Sequence, residues 1–137
     1  MVRVKNSSTP SLPRRRTLAA LLALGALPAS AAGKPIQLEV DLTVDPAKEK
    51  EMLKNFESIF KPAAAKQNGY VDVKMLKLRS TLAGKAPAGV NYRFCLIYQS
   101  EELRQKWVAS DIHQQVWPTI EKTLVHKNYN VLLFDIA

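Results

Sequence analysis

Apolar and polar positions alternate from Ile36 to Val44: Ile36, Leu38, Val40, Leu42 and Val44 are apolar, with Gln37, Glu39, Asp41 and Thr43 between them. A period of two with one apolar face predicts a half-buried strand. Asp45-Pro46 then offers an N-cap followed by a proline at the first helical position. Met52, Leu53, Phe56, Ile59, Phe60 and Ala63 form a stripe of helical period that ends at Asn68-Gly69, a suitable C-cap. Pro62 falls inside that stretch, so a kink or a second short helix is expected there. A second strand is predicted from Tyr70 to about Arg79, and the Gly- and Pro-containing segment Ser80–Val90 reads as a loop. Tyr92, Phe94, Leu96 and Tyr98 alternate with Arg93, Cys95 and Ile97, giving a third strand that is apolar or aromatic on nearly both faces. Ser100-Glu101-Glu102 supplies an N-cap with acids in the first turn. The helix it starts runs to about Val125, with a break near Ser110-Asp111, where Asp111 can recap it. A last strand is formed by Tyr129, Val131 and Leu133 alternating with Asn130, Leu132 and Phe134.

The order β-α-β-β-α-β is that of the ferredoxin-like split motif, an α+β fold with an antiparallel sheet. Helices on one face of such a sheet leave the other uncovered, and large side chains are expected there. Covering that face calls for a partner, so the pattern predicts a homodimer packed sheet against sheet.

A length of 137 residues fits one domain, and 47% hydrophobic with 23% charged residues excludes a disordered chain. The single cysteine, Cys95, excludes an intrachain disulfide and leaves too few thiolates for a zinc site. Two histidines, His113 and His126, do not suggest a metal cluster either, and no metal is expected. The net charge of +8 first suggests nucleic acid or an anionic membrane. Its distribution changes that picture. Arg3, Lys5, Arg14, Arg15 and Arg16 precede the first acidic residue, and removing them leaves 15 basic against 12 acidic residues, a net +3.

Those five cations open a recognisable segment. The uncharged run Thr17–Pro28 and the small residues Ala29-Ser30-Ala31 complete the n-region, h-region and cleavage-site order of an export signal. As a helix, the run spans about 18 Å, short of the roughly 30 Å hydrocarbon core, so no stable membrane anchor is expected after signal removal. Arg15-Arg16-Thr17-Leu18 resembles a twin-arginine signal, although Arg14 and Ala19 depart from the usual residues. The reading is therefore an export segment over 1–32, followed by one domain over 33–137 in the periplasm or outside a bacterial cell. Cleavage would fall after Ala31 or Ala32.

The mature chain resembles the antibiotic-biosynthesis-monooxygenase family of dimeric α+β barrels over essentially its whole length. The resemblance rests on the element order, the aromatic third strand, and the pattern Trp-x-x-Ser-x-x-His-x-x-x-Trp, here Trp107, Ser110, His113 and Trp117. It implies a pocket between sheet and helices. The family includes cofactor-independent oxygenases of aromatic and quinol-like substrates, haem-degrading enzymes and proteins of unknown activity. The haem-degrading branch places a ligating His ten residues after the Trp and an Asn on the first strand. Here those positions hold Trp117 and Val40 or Asp41, which disfavours that chemistry.

His113 and Trp117 lie one helical turn apart and can touch. His113 is the candidate general base, because oxygenation without a cofactor needs a substrate anion that passes an electron to O₂. Trp107 and Trp117 are candidate pocket walls, the alternative being core or interface residues. Tyr92 and Tyr98 could hydrogen-bond a phenol, with packing at the dimer face the favoured reading. Arg93, on the opposite face, could meet an anionic substrate or form a salt bridge. Asp111 reads as a helix cap, Cys95 as a small buried hydrophobe, and His126 as a helix C-terminal residue. No G-x-G-x-x-G, P-loop, C-x-x-C or G-x-S-x-G is present, and the aromatic strand does not follow the RNA-recognition signature. The expectation is a cofactor-independent monooxygenase-like enzyme, no nucleic-acid partner, and as alternative a non-catalytic dimeric module binding a small hydrophobic ligand or haem.

Overall fold

The computed structural model describes residues 33–137. The export signal read from residues 1–32 lies outside them. Four strands, β1 (Ile36–Leu42), β2 (Tyr70–Lys77), β3 (Tyr92–Tyr98) and β4 (Asn130–Asp135), form one sheet in the order β2-β3-β1-β4. All three pairings are antiparallel. This is the ferredoxin-like topology expected from the element order: each helical crossover skips one strand, and a hairpin-like connection fills the gap.

The first crossover begins where Asp45 caps a short 3₁₀ turn, Pro46–Lys48, its carboxylate accepting from Ala47 N at 2.9 Å. Helix α1 (Glu49–Asn55) passes through a π-helical turn (Phe56–Phe60) into the short helix α2 (Lys61–Ala65). Pro62 explains the irregularity. It cannot donate to the carbonyl four residues back, and its ring crowds that carbonyl. The preceding turn widens, and Lys61 N–H bonds Phe56 O instead. The wide turn delivers both Phe56 and Phe60 to the core, stacked at 6.2 Å between ring centres.

Gly69 carries a φ of +92° where the chain leaves these helices for β2. A β-carbon there would lie 2.7 Å from a Leu103 methyl carbon, so glycine is required both by conformation and by close packing.

The second crossover consists of α3 (Glu101–Ala109) and α4 (Asp111–Glu121). Ser100 caps α3 by accepting from Leu103 N at 3.2 Å. The break falls where the sequence indicates, but the recapping residue is Ser110, not Asp111. The Ser110 hydroxyl accepts from His113 N at 3.2 Å and donates to Trp107 O at 2.6 Å. One serine thus closes α3, opens α4, and fixes the angle between the helices carrying Trp107 and His113.

The helices cover one sheet face. Ile36, Leu38, Val40 and Leu42 from β1, Val73 from β2, and Tyr92, Phe94, Leu96 and Tyr98 from β3 pack under Met52, Phe56, Phe60, Trp107, Val116 and Ile120. Each large apolar side chain so buried contributes about 1.5–3 kcal/mol. This arrangement corrects one expectation: Tyr92 and Tyr98 lie in the helix-covered core, 2% and 0% exposed, rather than on a dimer face. The pleat sends Arg93, Cys95 and Ile97 to the uncovered face, opposite Asp41, Glu39 and Gln37. There Arg93 pairs with Asp41 at 2.7 Å and Glu39 at 3.2 Å, flanked by half-exposed Leu76, Leu132 and Phe134. The uncovered face is therefore a charged centre with an apolar margin. Among the described residues, no helix is long and apolar enough to cross a membrane.

Candidate functional site

The helices do not extend fully over β4, whose six residues are all exposed. A cleft of about 290 Å³ opens between that side of the sheet and α3/α4. Leu38, Val40, Phe94 and Leu96 form its floor, Phe60, Trp107, Val108 and Trp117 its walls, and Val131 and Tyr129 its β4 margin. Two basic side chains also face it: His113 and Arg104.

The His113 ring is held by aromatic neighbours. It stacks on Trp117 at 6.4 Å and 14°, and meets the Trp107 ring edge-on at 5.0 Å and 88°. Phe60 is the hub, 6.0 Å from Trp107, 5.9 Å from Trp117 and 5.2 Å from Phe94, in edge-to-face contacts. Burial, and secondarily the positive charge of Arg104, push the His113 pKa below its ordinary 6.5. The imidazole is therefore neutral at pH 7 and offers a lone pair to the cleft. No hydrogen bond from another described residue occupies either ring nitrogen.

Trp117 is oriented from behind. Its Nε1 donates to the Tyr129 hydroxyl at 3.2 Å, and that hydroxyl donates to Glu121 Oε2 at 2.7 Å. Burial and the bond to Glu121 raise the Tyr129 pKa, so the phenol remains protonated and the chain keeps one direction. Two buried polar atoms lack a partner among the described residues: Trp107 Nε1 and Tyr98 OH. Burial raises the Tyr98 pKa to about 12.

Of the residues singled out by sequence, the fold brings Trp107, His113 and Trp117 together. It places Tyr92, Tyr98 and Arg93 elsewhere. Tyr92 donates to Glu49 Oε2 at 2.6 Å, and its pKa is raised to about 12, chiefly by burial. Tyr92 and Arg93 instead border a second hollow of about 370 Å³, beside the Leu78–Val90 loop. That hollow is larger, but two of its three cations are already matched, Arg93 by Asp41 and Glu39 and Lys77 by Glu49 at 2.7 Å, which leaves Arg79. It holds no histidine, and its one carboxylate, Asp41, is bound to Arg93, so the His113 cleft is the better site.

Sequence reasoning missed Phe60, Arg104 and Tyr129. Arg104 was within reach, since residues three apart on a helix share a face and Trp107 was already a candidate. Tyr129 reaches Trp117 only through the tertiary fold.

Of the two first-strand positions considered for the haem pattern, Val40 faces the cleft and Asp41 points to the opposite face. The haem-degrading ligand pattern does not fit here. Position 117 holds an indole, which is a donor only and is engaged by Tyr129.

No protein-family model matches the sequence, and no curated protein matches it. Solved structures do share its fold. A conserved protein from Methanosarcina mazei superposes with a TM-score of 0.60 at 15% identity, over 80% of this chain and 99% of that one. A proposed antibiotic biosynthesis monooxygenase from Caulobacter crescentus gives 0.60 at 18% identity, over 76% and 91%. A variant of SnoaB, a cofactor-independent oxygenase from Streptomyces nogalater, gives 0.55 at 17% identity, over 76% and 94%. The chain thus has the ferredoxin-like α+β fold of antibiotic biosynthesis monooxygenases.

Proposed function

We propose that this protein is a cofactor-independent monooxygenase-like enzyme acting on a small aromatic or quinol-type compound bound in the cleft beside His113. The observation that carries the reading is a neutral, unbonded imidazole fixed between two tryptophans at the edge of an apolar cleft. The aromatic walls suit a planar ring, and the imidazole can take the proton of its hydroxyl. Proton removal yields the electron-rich anion that can reduce O₂ without a flavin or metal. The fold is shared with a cofactor-independent oxygenase, which is in keeping with this assignment.

The same reading includes a homodimer through the uncovered sheet face, favoured by exposed Leu76, Leu132 and Phe134 around a charge cluster that is already internally paired. It also includes export, by the twin-arginine route, directed by residues 1–32. Sedimentation at micromolar concentration should give the mass of two chains, and a one-chain mass would contradict the dimer.

The test of activity is oxygen uptake across a panel of phenols and hydroquinones. At least one compound should be turned over, and His113→Gln should lower its kcat/KM by about 10²-fold or more. Unchanged turnover in the variant would remove His113 from the mechanism. No uptake with any member would favour the binding module.

A further inference from the structure

Among the described residues, Arg104 is the only permanent charge lining the cleft. Its Nε and Nη2 donate to Glu101 Oε1 and Oε2, both at 2.6 Å, a bidentate pair that uses one edge of the guanidinium. Glu101 leaves Nη1 and the second N–H of Nη2 unengaged. The side chain is 16% exposed, so this free edge lies in surroundings far less polar than water. His113 alone faces an unfavourable transfer: a phenol ordinarily ionises near pH 10 and the imidazole below 6.5, so the proton moves uphill by more than about three powers of ten. An anion-holding group must offset that difference.

We propose that Arg104 is the anion-binding group of the cleft: the guanidinium edge left free by Glu101 takes the oxygen of a phenol or enol whose proton passes to His113. The inference rests on the base role given to His113 above. In the transfer the O–H bond breaks, its electron pair stays on oxygen, and the proton joins the imidazole lone pair; no electron is lost or gained. The charges then alternate through Glu101, Arg104, the phenolate and the imidazolium, and their sum is zero both before and after. A ligand that arrives already ionised, such as a benzoate, brings no proton for His113 and leaves a net negative charge in the cleft. The site therefore selects a neutral, weakly acidic hydroxyl on a planar ring. The other ionisable group on the cleft margin, Tyr129, is committed to Glu121, and Lys127 meets Glu121 3.8 Å away on its far side.

4-Nitrophenol tests this without oxygen chemistry, because only its anion absorbs visible light. With the full chain in excess, the bound compound should titrate at least one pH unit below the free compound, a tenfold preference for the anion. Arg104→Gln should abolish that shift. Glu101→Gln should enlarge it, because Arg104 then loses its counter-ion. The proposal is overturned if the bound compound titrates at or above the free value, if Arg104→Gln keeps the shift, if Glu101→Gln fails to enlarge it, or if no binding occurs. Should Arg104→Gln fail to fold, Glu101→Gln decides the matter alone. Absence of oxygen uptake would overturn the oxygenase reading while leaving this titration intact, and an unshifted titration with normal uptake would do the reverse.

Discussion

The two faces of β3 carry opposite solutions to the same problem. Toward the helices, Tyr92, Phe94, Leu96 and Tyr98 are nearly inaccessible and join an aromatic core. Toward the uncovered face, Arg93 is held by two cross-strand acids on β1, Asp41 and Glu39. The helix side, which should tolerate polar groups least, is where the His113 ring stands without a hydrogen bond from any described residue. Where a charge serves the fold, the register matches it. Where a polar group is left unmatched beside a cleft, chemistry is the better explanation.

The helix-covered face should be the more sensitive to truncation. Phe60→Ala removes the hub of the aromatic cluster and should cost about 3–5 kcal/mol in denaturant unfolding, with ligand binding lost as well. A loss below about 1 kcal/mol would mean that the cluster is loosely packed. Gly69→Ala forces a non-glycine residue to positive φ against Leu103 and should cost about 2 kcal/mol. On the uncovered face, Arg93→Ala leaves Asp41, 4% exposed, without its partner. Because Arg93 is 42% exposed and screened, the expected loss is only about 1–2 kcal/mol, and ligand binding in the His113 cleft should be unchanged. A binding defect in that variant would show that the faces are coupled.

The smallest effect is on pH dependence. His113 ionises below 6.5 in the folded protein and near 6.5 when unfolded, so the unfolded chain binds more protons in that window. Stability should fall as pH drops through 6.5, with a slope of at most about 1.4 kcal/mol per pH unit. In His113→Gln the contribution disappears, and the pH 5–7 stability curve should be flatter than that of the wild type. An equal slope would place His113 in water.

Much of the fold was legible because its signals are local. The strict alternation in β1, the Asp45-Pro46 start and the Ser100 cap each fix an element from a few adjacent residues. Pro62 announced an irregularity, though not that it would be a π turn feeding Phe60 into the site. The site was half legible: Trp107, His113 and Trp117 share one helical region, whereas Phe60 and Tyr129 join them only through long-range packing. The face assigned to Tyr92 and Tyr98 was missed for a related reason. When both faces of a strand are largely apolar, alternation shows that there are two sets of residues but not which set the helices cover.

The cleft between Trp107, His113 and Trp117 should bind a ligand directly against both indoles. The chain has two tryptophans, and both line that cleft, so intrinsic fluorescence reports its occupancy directly. Titration with hydroquinone should quench this emission saturably in the wild type. Val108→Phe, which fills one wall, should weaken the apparent affinity at least tenfold. Quenching that rises linearly without saturation, or an affinity unchanged by Val108→Phe, would contradict the claim.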